Sequence, residues 1–280
     1  MIAAVVVLVL QASPIFADVE DGFTVSEITP EIFARIKGKS YKDNCPIPLG
    51  DLRYLRVLHK DKDGVTHEGE MICSVNIASD VLEIFRAMYE AGYPIERVRL
   101  VDDYDADDET SMRDNNSSCF NFRFITHSTR ISKHGLGLAV DINTLYNPYI
   151  RVTDKGTIFE PATAGDYVDR TKDFPYKITR DDLCYKLFTE RGFEWGGEWK
   201  SLKDYQHFEV SDKRAKELYP DYRSEDSHNG DKSSGNEHHS REHEINRGTE
   251  RDASRVPGQC DRQDGASLPS QENQPNQHSP

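Results

Sequence analysis

The chain has 280 residues and a formal net charge of −14, with 36% hydrophobic and 30% charged residues. That supplies apolar material for one domain of ordinary size, but not for a core running the full length. The acidic balance builds no basic stripe, which excludes nucleic acid as the expected partner.

The shortfall lies at the ends of the chain, so one domain of middling size is expected. At the N-terminus, "IAAVVVLVL" is an apolar run too short to cross a bilayer as a helix, followed by "QASPIFA". This predicts an export signal over residues 1–17, with Ala17 at the cleavage point, Asp18 as the first mature residue and no stable membrane span. The segment before the run carries no Lys or Arg, so the amino terminus alone supplies positive charge there. The competing readings are a buried N-terminal strand and an uncleaved anchor. From residue 222 the chain is nearly free of aliphatic residues, and such a segment cannot offset its ordering entropy. A disordered tail over 222–280 follows, leaving one domain over 18–221.

Within that domain, "TPEIFARIKGKS" predicts a short helix, with Thr29 as cap, Pro30 in the first turn and Gly38 as stop. "DLRYLRVLH" and "VTHEGEMICSVN", joined by "KDKDG", predict a hairpin. "IASDVLEIFRAMYEAGYP" predicts a helix with Ile77, Val81, Ile84, Phe85 and Met88 on one face. "ERVRLVDDY" reads as a strand, and "DADDETSMRDNNSSC" as a polar stretch of little periodicity. "LAVDIN" reads as a short buried strand and "NPYI" as a turn. "ITRDDLCYKLFTERGF" reads as a helix capped by Thr179 and stopped by Gly192, and "HFEV" as a last strand. Strands and helices mix without regular alternation, so the expected class is α+β: a small single domain with a central antiparallel sheet and helices packed on one side.

Five cysteines, Cys45, Cys73, Cys119, Cys184 and Cys260, form no CxxC spacing, so a cysteine zinc site is not expected. An exported chain has room for one or two disulfides. The odd count leaves at least one thiol unpaired, with Cys260 in the tail the first choice. Cys119 has no evident base partner, which argues against a cysteine nucleophile.

The chemistry concentrates in "ISKHGLGLAVDIN". An aspartate in an apolar strand is costly unless a cation or an arginine pairs with it, which makes Asp141 the first point of interest. His134 stands just before that strand, and Gly135 and Gly137 between them allow close backbone approach. A catalytic zinc needs three protein ligands, and His207 in "EWKSLKDYQHFEV" is the third candidate. A carboxylate must take the proton of the attacking water. Asp204, three residues before His207, is the first choice, with Glu198 and Glu209 behind it. Arg123 in "CFNFRF" is the candidate for stabilising the oxyanion.

"SKHGLGLAVD" has the form S-x-H-x-x-G-x-A-x-D and resembles the signature of VanY-type zinc D-alanyl-D-alanine carboxypeptidases and their L-alanyl-D-glutamate endopeptidase relatives, the LAS peptidases. "KDYQHFE" resembles their second motif, and "NNSSCFNFR" the segment upstream. The resemblance covers roughly residues 50–212. It implies one Zn2+ held by His134, Asp141 and His207, Asp204 as catalytic base, Arg123 on substrate or oxyanion, and Ser132 as a supporting hydrogen-bonder. It implies a peptidoglycan stem peptide as substrate and an exported monomer, in the periplasm or outside the cell. Carboxypeptidase is the first expectation. Many carboxypeptidases of this group carry glutamate as base, and Asp204 is more like the endopeptidase branch. The rival from another class is a zinc-stabilised binding module like the hedgehog signalling domain, which resembles this fold and has no need of Asp204 or Arg123.

Four further features have competing readings. "DDYDADDETSMRD" lacks the EF-hand glycine and glutamate, so it reads as a solvated acidic loop at a cleft rim. Trp195 and Trp199 read as cleft candidates or as core. His127 reads as structural or second to the ligands, and "EHHSREH" in the tail as a solvated run.

Overall fold

A computed structural model describes residues 22–125 and 128–220. The expected signal segment 1–17, the tail with Cys260, and His127 lie outside those residues.

β1 (Thr24–Ser26) leads into α1 (Pro30–Ile36), where the Thr29 hydroxyl accepts from Ile32 N as the sequence predicts. β2 (Leu52–Lys60) and β3 (Thr66–Ser74) form the predicted hairpin, in register from Leu52 opposite Ser74 to Lys60 opposite Thr66. Asp61 closes its turn, accepting from Asp63 N at 2.9 Å and Val65 N at 3.0 Å. α2 (Ala78–Glu90) buries Val81, Ile84, Phe85 and Met88 against β2. Each such side chain contributes about 1.5–3 kcal/mol by leaving water. Ile77 is also buried, as the residue before the helix.

The next stretch departs from expectation. Only Arg97–Val98 of the predicted 96–104 strand is extended (β4), and it pairs in parallel with β5 (Asn116–Ser117). Val101–Tyr104 winds into a 3-10 turn instead. The reason lies in Asp102, whose buried carboxylate accepts from Ser40 N and Ser40 Oγ, both at 2.9 Å. The polar stretch after it contains α3 (Asp108–Arg113), capped by Asp107, which accepts from Thr110 N at 2.8 Å. The acidic run is therefore not a plain solvated loop: one carboxylate is buried, one caps a helix, and Asp108 holds Asn121 and Arg123.

β6 (Ala139–Asp141) is the predicted buried strand. Beyond it, "NPYI" is not simply a turn: Tyr149–Thr153 forms β7, which pairs with β8 (Gly156–Glu160). α4 (Leu183–Glu190) starts later than predicted. Its cap is Asp182, accepting from Cys184 N at 2.7 Å, and not Thr179, because the carboxylate lies next to the donors that need it. β9 (Phe193–Trp195), β10 (Lys203–Asp204), β11 (His207–Val210) and α5 (Asp212–Leu218) complete the described chain.

The α+β expectation holds. The strands are distributed over three antiparallel sheets, ordered β1-β2-β3, β10-β7-β8 and β6-β11-β9, besides the β4-β5 pair. α4 packs on β9 and touches α2. Phe188 of α4 stacks on Phe208 of β11 with centroids 4.3 Å apart, so the back of the β6-β11-β9 sheet is core. Cys45, Cys73, Cys119 and Cys184 are all free thiols, so none of the disulfides an exported chain has room for forms among them. Cys73 and Cys119 touch each other in the core. Among the described residues no helix is long and apolar enough to cross a membrane.

Candidate metal centre

Strand pairing delivers two of the three predicted ligands. The β11-β6 register sets His207 directly opposite Asp141. Residues paired this way project to one face, with Cβ atoms about 4.5–5.5 Å apart. His134 arrives from a 3-10 turn, His134–Leu136, just before β6. His134 Nε2 lies 3.1 Å from His207 Nδ1 and 3.2 Å from Asp141 Oδ2, while His207 Nδ1 lies 2.9 Å from Asp141 Oδ1. Both imidazoles are buried.

The two glycines of the motif make this turn fit. A Cβ on Gly135 would stand 2.6 Å from Ile131 Cγ2 and 3.1 Å from Arg123 O. Gly137 has φ +65°, and a Cβ there would stand 2.7 Å from Ser74 N, a backbone atom that cannot swing aside. Gly137 N also donates to His134 O, and its own carbonyl accepts from Ser74 N. Gly137→Ala should therefore cost about 2–5 kcal/mol, summing left-handed strain and overpacking. Denaturant midpoints at constant slope will read it. Ser132 supports the same turn, its Oγ accepting from Gly135 N at 3.0 Å.

The arrangement favours positive charge at its centre. Burial alone would raise the Asp141 carboxyl, but the adjacent His134 and His207 outweigh it and hold it well below the usual carboxylate range. Burial pulls His207 down, yet hydrogen bonds to Asp141 and Glu209 push it up to about 10. Two imidazole nitrogens and a carboxylate oxygen, all within 4.8 Å of one another, form a group able to hold a metal ion. This donor set and count suit zinc with an open position. The second nitrogen of each ring is also engaged: His134 Nδ1 donates to Cys119 O at 2.7 Å, and His207 Nε2 to Glu209 Oε2 at 3.0 Å. Such partners select which nitrogen faces the metal.

Asp204 sits on β10 opposite Tyr149, within electrostatic reach of all three ligands. Its Oδ1 is enclosed and has no hydrogen-bond partner among the described residues. Burial, the largest influence on it, pushes its pKa up to about 6. Next to it, the buried Gln206 leaves Oε1 equally unpartnered. Two orphaned acceptors beside three candidate ligands mark a polar space that water or substrate would satisfy.

The other predicted residues divide. Trp199 is half-buried, its ring centroid 5.4 Å from that of His207, and borders the site. Trp195 does not line a cleft: it is 4% exposed, stacks towards Phe208 and donates from Nε1 to Tyr205 O, so it belongs to the core behind the site. Arg123 is half-buried, and its Nε lies 2.5 Å from Asp108 Oδ2 as an ion pair without hydrogen-bond alignment. The substitute bases are committed elsewhere. Glu198 pairs with Arg180 and Tyr185, and Glu209 with His207 and Lys133. Sequence reasoning missed Asp108, Gln206 and Lys133. Of these, only Lys133 carried a signal, as the motif's one lysine among small and apolar residues.

A carboxylate and two histidines able to hold a metal converge beside the buried carboxylate of Asp204 on an α+β scaffold, and the family match over the same segment indicates a peptidase-like hydrolase. Residues 126–210 match the family model described as D-alanyl-D-alanine carboxypeptidase, which supports the VanY-type family that the motifs resemble. No solved structure matches the chain.

Proposed function

We propose that this chain is an exported, monomeric zinc peptidase that hydrolyses peptidoglycan stem peptides, first of all as a D-alanyl-D-alanine carboxypeptidase. The observation that carries the reading is the cross-strand pair His207 and Asp141, joined by His134, with the buried carboxylate of Asp204, whose Oδ1 has no hydrogen-bond partner among the described residues, beside it. When bound, zinc polarises the scissile carbonyl and brings water towards neutral pKa. Asp204 Oδ1 accepts the proton of the attacking water and returns it to the departing amine. Arg123, paired with Asp108, is the residue assigned to the oxyanion or the substrate carboxylate. Trp199 forms a wall of the cleft beside His207.

The second reading, L-alanyl-D-glutamate endopeptidase, is favoured by the base being aspartate. A binding module stabilised by zinc gains nothing from burying a carboxylate with one oxygen left without a hydrogen bond, which costs free energy. The test is mass spectrometry of a muropeptide mixture incubated with the zinc-loaded chain. Loss of one terminal alanine, abolished by chelation, is the expected outcome. A cut between L-alanine and D-glutamate moves the chain to the endopeptidase branch. One bound zinc and no cleavage leaves the binding module.

A further inference from the structure

We infer that Glu209, held by Lys133, is a positioning residue: it fixes the ring of His207 so that Nδ1 alone faces the metal. The inference rests on the reading of His134, Asp141 and His207 as a zinc site.

The argument starts from strand geometry. His207 and Glu209 are two residues apart on β11 and so share a face, while Phe208 and Val210 turn into the core. A carboxylate two positions along can therefore reach the outer edge of the imidazole, and Glu209 Oε2 lies 3.0 Å from His207 Nε2. With Nε2–H donating there, only Nδ1 keeps a lone pair, and Nδ1 is the atom that faces Asp141 and His134.

A glutamate on a flexible stem would hold nothing unless it were held itself. Its other oxygen, Oε1, lies 3.3 Å from Lys133 Nζ. Lys133 has little freedom: its side chain is 9% exposed, and Nζ donates to Val210 O at 2.7 Å and pairs with Asp212 at 2.9 Å. A buried ammonium needs such partners, and meeting that need locks the clamp. Lys133 also precedes His134 directly, so the turn that delivers one ligand delivers the brace for another.

Zinc affinity is the measurement, by competition with a chromophoric chelator on the full chain, together with the visible spectrum of the Co2+-loaded protein. Glu209→Ala should weaken binding by about 10- to 100-fold and shift the Co2+ bands, the size usual for losing an outer partner of a ligating histidine. Glu209→Gln keeps an acceptor oxygen on the same stem and should recover part of the loss, ending about two- to tenfold below the native chain. If Glu209→Ala does not fold, Glu209→Gln carries the test alone. Affinity within about twofold of the native chain in the folded variants overturns the proposal. So does an unchanged Co2+ spectrum. Native chain that binds one zinc but cleaves no muropeptide defeats the peptidase reading while leaving the Glu209 effect intact. Cleavage by native chain, with Glu209 variants binding zinc as the native chain does, defeats Glu209 alone.

Discussion

Asp204→Ala should lower kcat/KM on a muropeptide substrate by about 10²–10⁴-fold, the usual contribution of a positioned acid–base group, while the chain still binds one zinc. The two readouts separate because Asp204 is on β10, whereas the ligands come from β6, β11 and the turn before β6. The fold should tolerate the change, since Oδ1 has no hydrogen bond to lose and the carboxylate gives up only its contact with Gln206. Removing an unpartnered buried acceptor can even stabilise the domain. In the native enzyme the acid limb of the pH profile should fall at or below about 6. Burial sets that value in the absence of a cation, and a bound cation lowers it further. Zinc lost together with activity in Asp204→Ala would make this residue part of the metal site instead of the base.

The group able to hold a metal was legible in the sequence because each of its side chains sits inside a local pattern: small residues around His134, an apolar strand around Asp141, another around His207. The helix over Ala78–Glu90 and the Leu52–Ser74 hairpin were legible for the same reason, since period and turn chemistry are local. What failed was set by long-range partners. Residues 96–104 carry strand-like alternation, yet Ser40, far back in the chain, draws Asp102 inward and bends the segment. Trp195 reads equally as a cleft aromatic or as core until Phe208 and Tyr205 are seen to enclose it. Glu209 reads as a spare base until its distance to His207 Nε2 is known. Register across strands turned separate motifs into one site, and a single sequence carries register only weakly.

Stripping zinc should abolish cleavage and lower the melting temperature, and both effects follow from the same three side chains. A ligand present at about a thousand times its dissociation constant stabilises the native state by about 4 kcal/mol. For a domain of this size each kcal/mol moves the midpoint by about 2–4 °C, so chelation should cost about 8–16 °C. The pH dependence is more diagnostic. In the stripped chain His207 is held up at about 10, above its ordinary 6.5, by Asp141 and Glu209 against the pull of burial. Its contribution to stability is full below about pH 6.5 and is lost as pH rises through 10. Asp141 is held down, so its contribution is present above its ordinary 3.8 and is lost as pH falls. The stripped chain should thus gain most from this pair between about pH 4 and 6.5 and lose that gain on the alkaline side. The loaded chain should behave in the opposite sense, because protons and zinc compete for the same nitrogens and zinc binding tightens as pH rises. The gap in melting temperature between loaded and stripped protein should widen from pH 6.5 towards pH 9, as calorimetry at matched buffer strength will show. A gap that stayed constant over that range would mean that His207 does not hold the cation.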